Sequence, residues 1–222
     1  RDLPRAARDL DAHLGLAGAC VVLYMLGQTI SALKWWILLG PVGLSTPYPR
    51  LLGFYFTGMF FNLFLPTIVG GDAVKAVLLA RDTGAPARAT MSVFMERNTG
   101  LCALLLIALV AAYLAPPVTL YGISLVALAW LLAAGYVAAN IVLFSPHAYR
   151  IADRLIVRSP LKGMRARAGS LYEAAAPYTR TIGALIASMF LSIIFQFVVI
   201  GVVFLSARAL SLSIPFTAAA VF

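Results

Sequence analysis

The chain has 222 residues, 62% of them hydrophobic and only 11% charged, less than half the charged share of about 25% that soluble domains carry. This composition excludes a soluble enzyme, a nucleic-acid-binding module, a disordered tail and a disulfide scaffold. The two cysteines and two histidines show no metal-ligand spacing, so neither a metal nor any other cofactor is predicted. In a membrane protein, the basic residues behind the net charge of +9 indicate how the chain is oriented in the membrane, rather than affinity for nucleic acid.

The charges are absent from four long windows. These windows are 12–33, 51–71, 98–149 and 181–207. About 20 apolar residues suffice for a helix to cross the roughly 30 Å core of a bilayer, so the third window holds two crossings, with a turn at Pro116-Pro117. The pattern predicts an all-α, polytopic transmembrane helical bundle that forms a single domain over 1–222.

Five spans are predicted, at about 15–38, 51–71, 92–115, 118–144 and 181–206. Positive-inside counting then places the start of the chain in the cytoplasm, because this leaves only Lys34, Arg50 and Arg208 of the 17 basic residues outside. The prediction is a multi-pass protein of the inner or plasma membrane. Both ends are expected to be cut, since residue 1 is not Met and 213–222 read as the opening of a further span.

An aromatic pair, Trp35-Trp36, follows Lys34 at the predicted outer end of the first span, where an interfacial belt is expected.

Residues 145–180 form the one sizeable predicted extramembrane piece, a basic cytoplasmic segment. Its basic residues Arg150, Arg154, Arg158 and Lys162 recur every four residues, so a helix would carry them as one stripe, and Pro160 should interrupt that helix. Two interpretations stay open. The stripe is either a solvated face or a contact with anionic lipid headgroups, where each basic residue contributes about 1 kcal/mol.

The stretch 53–100 contains features that are costly in lipid. Asn62 lies within the second predicted span, and Pro66 four residues later removes a helical hydrogen bond to its carbonyl. The helix should therefore kink or break there. Broken helices at membrane depth often build transporter substrate sites, and an ordinary proline kink is the alternative.

Gly70-Gly71-Asp72 ends the second window, and Lys75 follows three residues after Asp72. The glycines are expected to release the chain from helix, and Asp72 is expected to cap a new helix and to pair with Lys75. Such a helix start could receive a phosphate. A capped turn at the membrane surface is the alternative.

Glu96 and Arg97 lie at the entrance of the third predicted span. Neighbouring helical residues point about 100° apart, so Glu96 needs a partner on another helix, and Lys75 is the predicted one. Arg97 could extend toward the membrane surface. With Asp72, these residues predict a polar vestibule that suits a lipid with a phosphate headgroup. The predicted headgroup-binding set is Asn62, Pro66, Gly70, Gly71, Asp72, Lys75, Glu96 and Arg97.

At this segment the sequence resembles the transmembrane region of the lysylphosphatidylglycerol synthase/flippase family. The resemblance rests on residues 28–110. Its motifs are Lys34-Trp35-Trp36, Asn62, Pro66, Gly70-Gly71-Asp72, Lys75, Glu96-Arg97 and Gly100. Lys75 stands where Arg is more usual in the family, which weakens an argument for bidentate phosphate binding. The soluble aminoacyl-transferring domain that some members carry is missing from these 222 residues, so the resemblance implies lipid translocation or lipid handling rather than aminoacylation.

The sequence therefore predicts translocation of a phosphate-bearing lipid between leaflets, with no catalytic residue. The expected partners are anionic or polyprenyl-phosphate lipids and no nucleic acid, and a homo-oligomer stays open. The alternatives are a membrane-embedded glycosyltransferase or its accessory, for which Asp9-Leu10-Asp11 has a metal-binding D-x-D form, and a purely structural bundle.

Overall fold

A computed structural model describes residues 14–64, 70–114, 119–120, 123–157, 162–210 and 212, with the backbone alone for 119–120, 123, 152–157 and 162–168. Nearly all of these residues are helical. The helices are α1 (Leu14–Leu39), α2 (Tyr48–Asn62), α3 (Gly70–Thr83), α4 (Pro86–Leu114), α5 (Leu125–Phe144), α6 (Pro146–Val157), α7 (Lys162–Ala175), a 3-10 helix (Ala176–Arg180) and α8 (Ile182–Ala209). Two-residue strands β1 (Thr119–Leu120) and β2 (Ile123–Ser124) pair as a small antiparallel hairpin before α5.

Four of the described helices, α1, α4, α5 and α8, are long and apolar enough to cross a membrane. They correspond to the predicted spans 15–38, 92–115, 118–144 and 181–206. Their ends differ, because α4 already begins at Pro86 and α5 begins only at Leu125. The protein is thus an all-α, multi-pass helical bundle, as the charge-free windows predicted.

The predicted span 51–71 is not one continuous helix. α2 ends at Asn62, and α3 begins at Gly70 and packs against α2. With 15 residues, α2 is about 22 Å long, too short to cross a core of roughly 30 Å. The predicted break after Asn62 is confirmed, and its consequence is a helical hairpin, α2–α3.

Residues on both sides of this hairpin lie on one face of the bundle. Arg50 in α2 forms an ion pair with Asp82 in α3 at 2.7 Å, and Thr46 donates a hydrogen bond to the same carboxylate. Arg88, at the start of α4, donates to the carbonyl of Val42, just after α1. The prediction that Arg50 lies outside while Arg81 and Arg88 lie inside is therefore wrong, because the chain folds back at α2–α3.

The segment before α8 closes the same face. The Tyr178 hydroxyl is buried and donates to the carbonyl of Leu38 at 2.7 Å, and this burial raises the pKa of Tyr178. Tyr178 also joins an apolar core cluster, which includes Trp35 and Leu39 of α1, Leu51 of α2 and parts of α3, α4 and α7. Leu79 is the α3 member of that core. The core holds the α2–α3 hairpin against the ends of α1 and α4.

α1 and α8 run antiparallel over their length. Cys20 Sγ lies 3.6 Å from Ser206 Oγ, and Gly27 lies opposite Phe195 and Val198. α4 joins this pair through Thr99, whose hydroxyl lies 2.9 Å from that of Ser188. α1, α4, α8 and the hairpin thereby surround one space inside the membrane-spanning part.

Several predicted features lie outside the described residues. They are Pro66, the Pro116-Pro117 turn, Arg158, Pro160, Asp9-Leu10-Asp11 and residues 213–222.

Candidate functional site

Glu96 forms ion pairs with two buried lysines inside the bundle. Its Oε1 lies 3.2 Å from Lys34 Nζ of α1, and its Oε2 lies 2.9 Å from Lys75 Nζ of α3. All three side chains are nearly inaccessible to solvent. Glu96 lies ten residues into α4, roughly 15 Å from its start. The predicted pairing of Glu96 with Lys75 is confirmed, and one carboxylate thus compensates two buried cations from two other helices.

Asp72 extends this ionic cluster toward the space between α3 and α4. Its Oδ1 lies 2.9 Å from Lys75 Nζ, as the i,i+3 spacing predicted, and its Oδ2 lies 2.5 Å from Arg97 Nε. The side chain of Arg97 is 52% exposed, whereas that of Lys75 is 6% exposed. Arg97 is therefore the cation of the cluster that a molecule can reach most easily.

Two aromatic rings cover Lys75. Its Nζ lies 4.5 Å from the ring centroid of Tyr55 and 5.4 Å from that of Trp35, both within the range of a cation–π interaction. Trp35 is fully buried and donates from Nε1 to Ser92 Oγ at 3.0 Å. The belt position predicted for Trp35 is therefore wrong. Its neighbour Trp36 is 44% exposed and donates to the carbonyl of Thr46.

The ionic cluster lines a cavity of about 580 Å³ between α1, α2, α3, α4 and α8. Along α1 the cavity extends from Lys34 to Tyr24, ten residues or roughly 15 Å toward the opposite end of the helix. Gln28 of α1 and Gln196 of α8 both line the cavity, and neither side chain hydrogen-bonds to another described residue. The predicted polar vestibule therefore corresponds to a cavity that reaches well into the bundle.

The two helices of the α2–α3 hairpin approach each other closely at Gly58 and Gly71. A Cβ on Gly71 would lie 2.2 Å from the carbonyl oxygen of Gly58, and a Cβ on Gly58 would lie 2.6 Å from Lys75 Cγ. The Gly71 N–H donates to Asn62 Oδ1 at 2.7 Å. Asn62 therefore satisfies a free N–H group in the first turn of α3.

Two predictions about this turn are wrong. Gly70 and Gly71 do not release the chain from helix, since both belong to α3, and the close approach of the α2 backbone requires a small residue at Gly71. Asp72 does not cap the helix, because its carboxylate pairs with Lys75 and Arg97 instead.

Replacing Gly71 by Ala should destabilise the hairpin by about 1–3 kcal/mol, because the new methyl group overlaps a backbone oxygen that cannot move alone. Gly53→Ala is the matched control, since no atom lies within 4 Å of its added Cβ. Thermal unfolding of both variants in detergent measures the effect. Equal melting temperatures for Gly71→Ala and Gly53→Ala would contradict the close crossing of α2 and α3.

Lys34 is the site residue that the sequence interpretation missed. It was expected outside, yet it is 3% exposed and paired with Glu96. A Cβ added to Gly100 of α4 would lie 3.3 Å from Lys34 Nζ, so this glycine leaves room for the ammonium group. A signal was available. Lys34 falls within the predicted span 15–38, and a charge inside a span usually has a buried partner.

Arg150 is the residue of the basic stripe whose side chain the structure describes, and it lies outside this cluster. Arg150 is exposed and donates from Nε to the carbonyl of Pro146 in its own helix. The side chains of Arg154 and Lys162 are outside the described part of the chain, as is Arg158. Tyr149 stacks on Tyr172 at 4.2 Å between centroids, which joins α6 to α7 beside the membrane-spanning bundle.

The fold and the cluster define a polytopic membrane protein with a charged cavity inside its helical bundle. The family model for the lysylphosphatidylglycerol synthase TM region matches residues 1–222, the whole chain. The chain therefore belongs to that family, as the motifs around Asp72 and Glu96 indicated. Neither the curated proteins nor the solved structures give a significant match.

Proposed function

We propose that this protein moves a phosphate-bearing lipid between the two leaflets of a membrane. The observation that carries the proposal is the cavity, in which a half-exposed Arg97 lies eleven residues into the long apolar helix α4, beside uncharged polar groups. Ionisable residues at such depth usually belong to a substrate path, because they are costly in lipid. The headgroup would enter the cavity while the acyl chains stay in the bilayer.

Arg97 is the proposed contact for the phosphate. Its guanidinium Nε lies 2.5 Å from Asp72 Oδ2, and because the side chain is 52% exposed a ligand can still reach the guanidinium group. Guanidinium groups suit phosphate oxygens because they can donate two parallel hydrogen bonds. Lys75 lies behind Asp72 and is held by two carboxylates, so it orders the cluster rather than contacting the ligand first.

The deeper part of the cavity provides the path. Gln28 and Gln196 offer amide donors and acceptors to a headgroup that has left the ionic cluster. A polar lining lowers the cost of moving a polar headgroup through the apolar core.

The test is leaflet exchange in proteoliposomes. The purified chain is reconstituted with a fluorescent phospholipid, and reduction of the outer-leaflet fluorophore by dithionite reports how fast the inner pool becomes accessible. We expect loss of the protected half of the signal within minutes, against a stable half in protein-free liposomes. Retention of that half at every protein-to-lipid ratio would refute the proposed function.

We further propose that the face carrying α6 and α7 lies in the cytoplasm. With α2–α3 folded back, chain order assigns ten basic residues to this face. They are Arg50, Arg81, Arg88, Arg150, Arg154, Arg158, Lys162, Arg165, Arg167 and Arg180. By chain order, the opposite face has four, Arg1, Arg5, Arg8 and Arg208. The positive-inside rule then puts the start of α1 outside, opposite to the orientation inferred from five spans.

Cysteine labelling in intact cells tests this orientation. In a background without Cys20 and Cys102, we expect Ser45→Cys and Ala176→Cys to resist an impermeant maleimide and Leu212→Cys to react. All three positions are exposed in the structure. Opposite reactivity of Ser45→Cys and Ala176→Cys would contradict the folded-back hairpin. Reaction of both, with protection of Leu212→Cys, would reverse the proposed orientation.

The stripe Arg150, Arg154, Arg158 and Lys162 remains a proposed contact for anionic headgroups of the cytoplasmic leaflet. The exposure of Arg150 and the position of α6 directly after a spanning helix support this.

A further inference from the structure

A second cavity lies beside α4, on a different side of that helix from the ionic cluster. It measures about 410 Å³ and lies between α5 and α8, with α4 behind it. Phe144 of α5, Met189 of α8 and Met95 of α4 belong to its walls. Ile186 of α8, 63% exposed, lies at its open side. We call this space the α5–α8 slot. Of the described residues that line the slot, none is charged.

The polar side chains of the slot form hydrogen bonds within the protein. Six hydroxyl and amide side chains line it, and all six are engaged in this way. They are Asn98, Thr99, Tyr136, Asn140, Tyr178 and Thr179. Asn98 Nδ2, for example, donates to Asn140 Oδ1 at 2.7 Å, and the Tyr136 hydroxyl donates to the Asn98 carbonyl at 3.0 Å. Because these groups already have protein partners, the surface that the slot offers to a ligand is mostly carbon.

α5 has few protein contacts of its own. Ala129 is its only buried residue, and α5 packs mainly against α4. An empty space between α5 and α8 would leave the carbon atoms of both walls without dispersion partners, which costs stability. In a bilayer the surrounding material is hydrocarbon, so the apolar slot is matched to a hydrocarbon chain.

The length of the slot corresponds to one leaflet. From Phe144 to Tyr136 it follows α5 for eight residues, about 12 Å of helix. One leaflet of a bilayer core of roughly 30 Å is about 15 Å deep. The slot can therefore receive an acyl chain from the leaflet on the side of α6 and α7.

Cationic side chains flank the slot at its surface end. Phe144 ends α5, and Arg150 of α6 donates from Nε to the carbonyl of Pro146, which holds its guanidinium at the start of α6. Arg180 directly follows Thr179 and is exposed. An apolar interior with cations at its entrance matches an amphiphile that carries an anion on a hydrocarbon chain. The apolar face of a helix from a second copy would leave these arginines unmatched.

We infer that the α5–α8 slot binds a resident anionic phospholipid, with one acyl chain between α5 and α8 and its phosphate beside Arg150 and Arg180. This lipid stabilises the bundle by joining α5 to α8. It is distinct from the lipid of the charged cavity, because α4 lies between the two sites.

Photo-crosslinking identifies the occupant. The protein is reconstituted in phosphatidylcholine vesicles that contain a small share of phosphatidylglycerol with a diazirine midway along one acyl chain, and adducts are mapped by peptide mass spectrometry. We expect adducts on Cys102 and Met189, in the slot, to exceed severalfold those on Phe190, which is 63% exposed. Equal labelling of these positions would overturn the site.

Filling the slot with a side chain gives a matched pair of variants. Met189→Trp places an indole in the slot, whereas Phe190→Trp places the same ring at the adjacent exposed position of α8. In native mass spectrometry with added phosphatidylglycerol, we expect Met189→Trp to lose one retained lipid that Phe190→Trp keeps. The lipid should raise the melting temperature of Phe190→Trp and leave that of Met189→Trp unchanged. Cys102→Trp fills the slot from α4 if Met189→Trp does not fold. Equal lipid retention in the filled variant and Phe190→Trp would overturn the inference.

Two charge variants test the headgroup. Arg150→Gln and Arg180→Gln should each lower the preference for phosphatidylglycerol over phosphatidylcholine about fivefold, the loss expected for one basic residue at a lipid surface. An unchanged preference in the double variant would overturn the assignment of an anionic headgroup.

A second copy of the chain is the competing occupant. Absence of lipid adducts in the slot, together with a wild-type dimer that Met189→Trp dissociates, would assign the slot to that copy and overturn the resident lipid. All of these measurements are independent of lipid exchange between leaflets, so failure of the proposed translocation would leave their outcomes unchanged.

Discussion

Replacing Glu96 by Ala should destabilise the folded bundle by about 3–5 kcal/mol, because it leaves Lys34 without a carboxylate in a buried site. Lys75 suffers less, since Asp72 remains 2.9 Å from its Nζ. Glu96→Gln should cost nearly as much, since the amide keeps the shape but removes the charge. Thermal or denaturant unfolding in detergent measures both variants, with the exposed Glu173→Ala as a control expected within about 0.5 kcal/mol of wild type.

A second substitution tests the cause of this loss. In a Glu96→Ala background, Lys34→Met should recover much of the lost stability, because it replaces the uncompensated charge with an apolar side chain of similar length. The two substitutions should therefore be strongly non-additive. Additive losses would mean that Glu96 does not compensate Lys34.

Replacing Arg97 by Ala should slow lipid exchange about tenfold to a hundredfold while the protein stays folded. The loss corresponds to a charge-assisted hydrogen bond of about 1.5–3 kcal/mol to the phosphate. The free energy of unfolding should change little, since the Arg97 side chain is half exposed and Asp72 remains paired with Lys75. Exchange of a fluorescent phosphatidylglycerol in proteoliposomes measures the rate, and size-exclusion profile and melting temperature report folding.

Two matched variants sharpen this result. Arg97→Lys keeps the charge but not the planar pair of donors, so its rate should lie between those of wild type and Arg97→Ala. Arg88→Ala removes an exposed arginine from the same helix outside the cavity and should exchange lipid at the wild-type rate. A wild-type rate in Arg97→Ala would show that Arg97 does not bind the phosphate.

An Asp72→Ala variant is less informative than Arg97→Ala. It removes the partner of Arg97 and one of the two carboxylates around Lys75 together, so positioning and stability change at once.

The sequence by itself determined the four long membrane-spanning helices α1, α4, α5 and α8, because crossing a bilayer requires a local property, about 20 consecutive apolar residues. It also predicted the Asp72–Lys75 pair, since residues three apart in a helix are neighbours. The break after Asn62 followed from Pro66 for an equally local reason. The need of Glu96 for a partner came from its cost in lipid, which is a property of one residue and its depth.

Only the tertiary structure decided where the broken segment goes. The sequence allowed 51–71 to cross the membrane, whereas the contact of Gly58 with Gly71 returns the chain to the face it left. That reversal moves Arg50 to the side of Asp82 and changes the proposed orientation. Lys34 meets Glu96 across 62 positions of sequence for the same reason. Such contacts depend on how helices pack around one another, and no local pattern of charge or hydropathy encodes that arrangement.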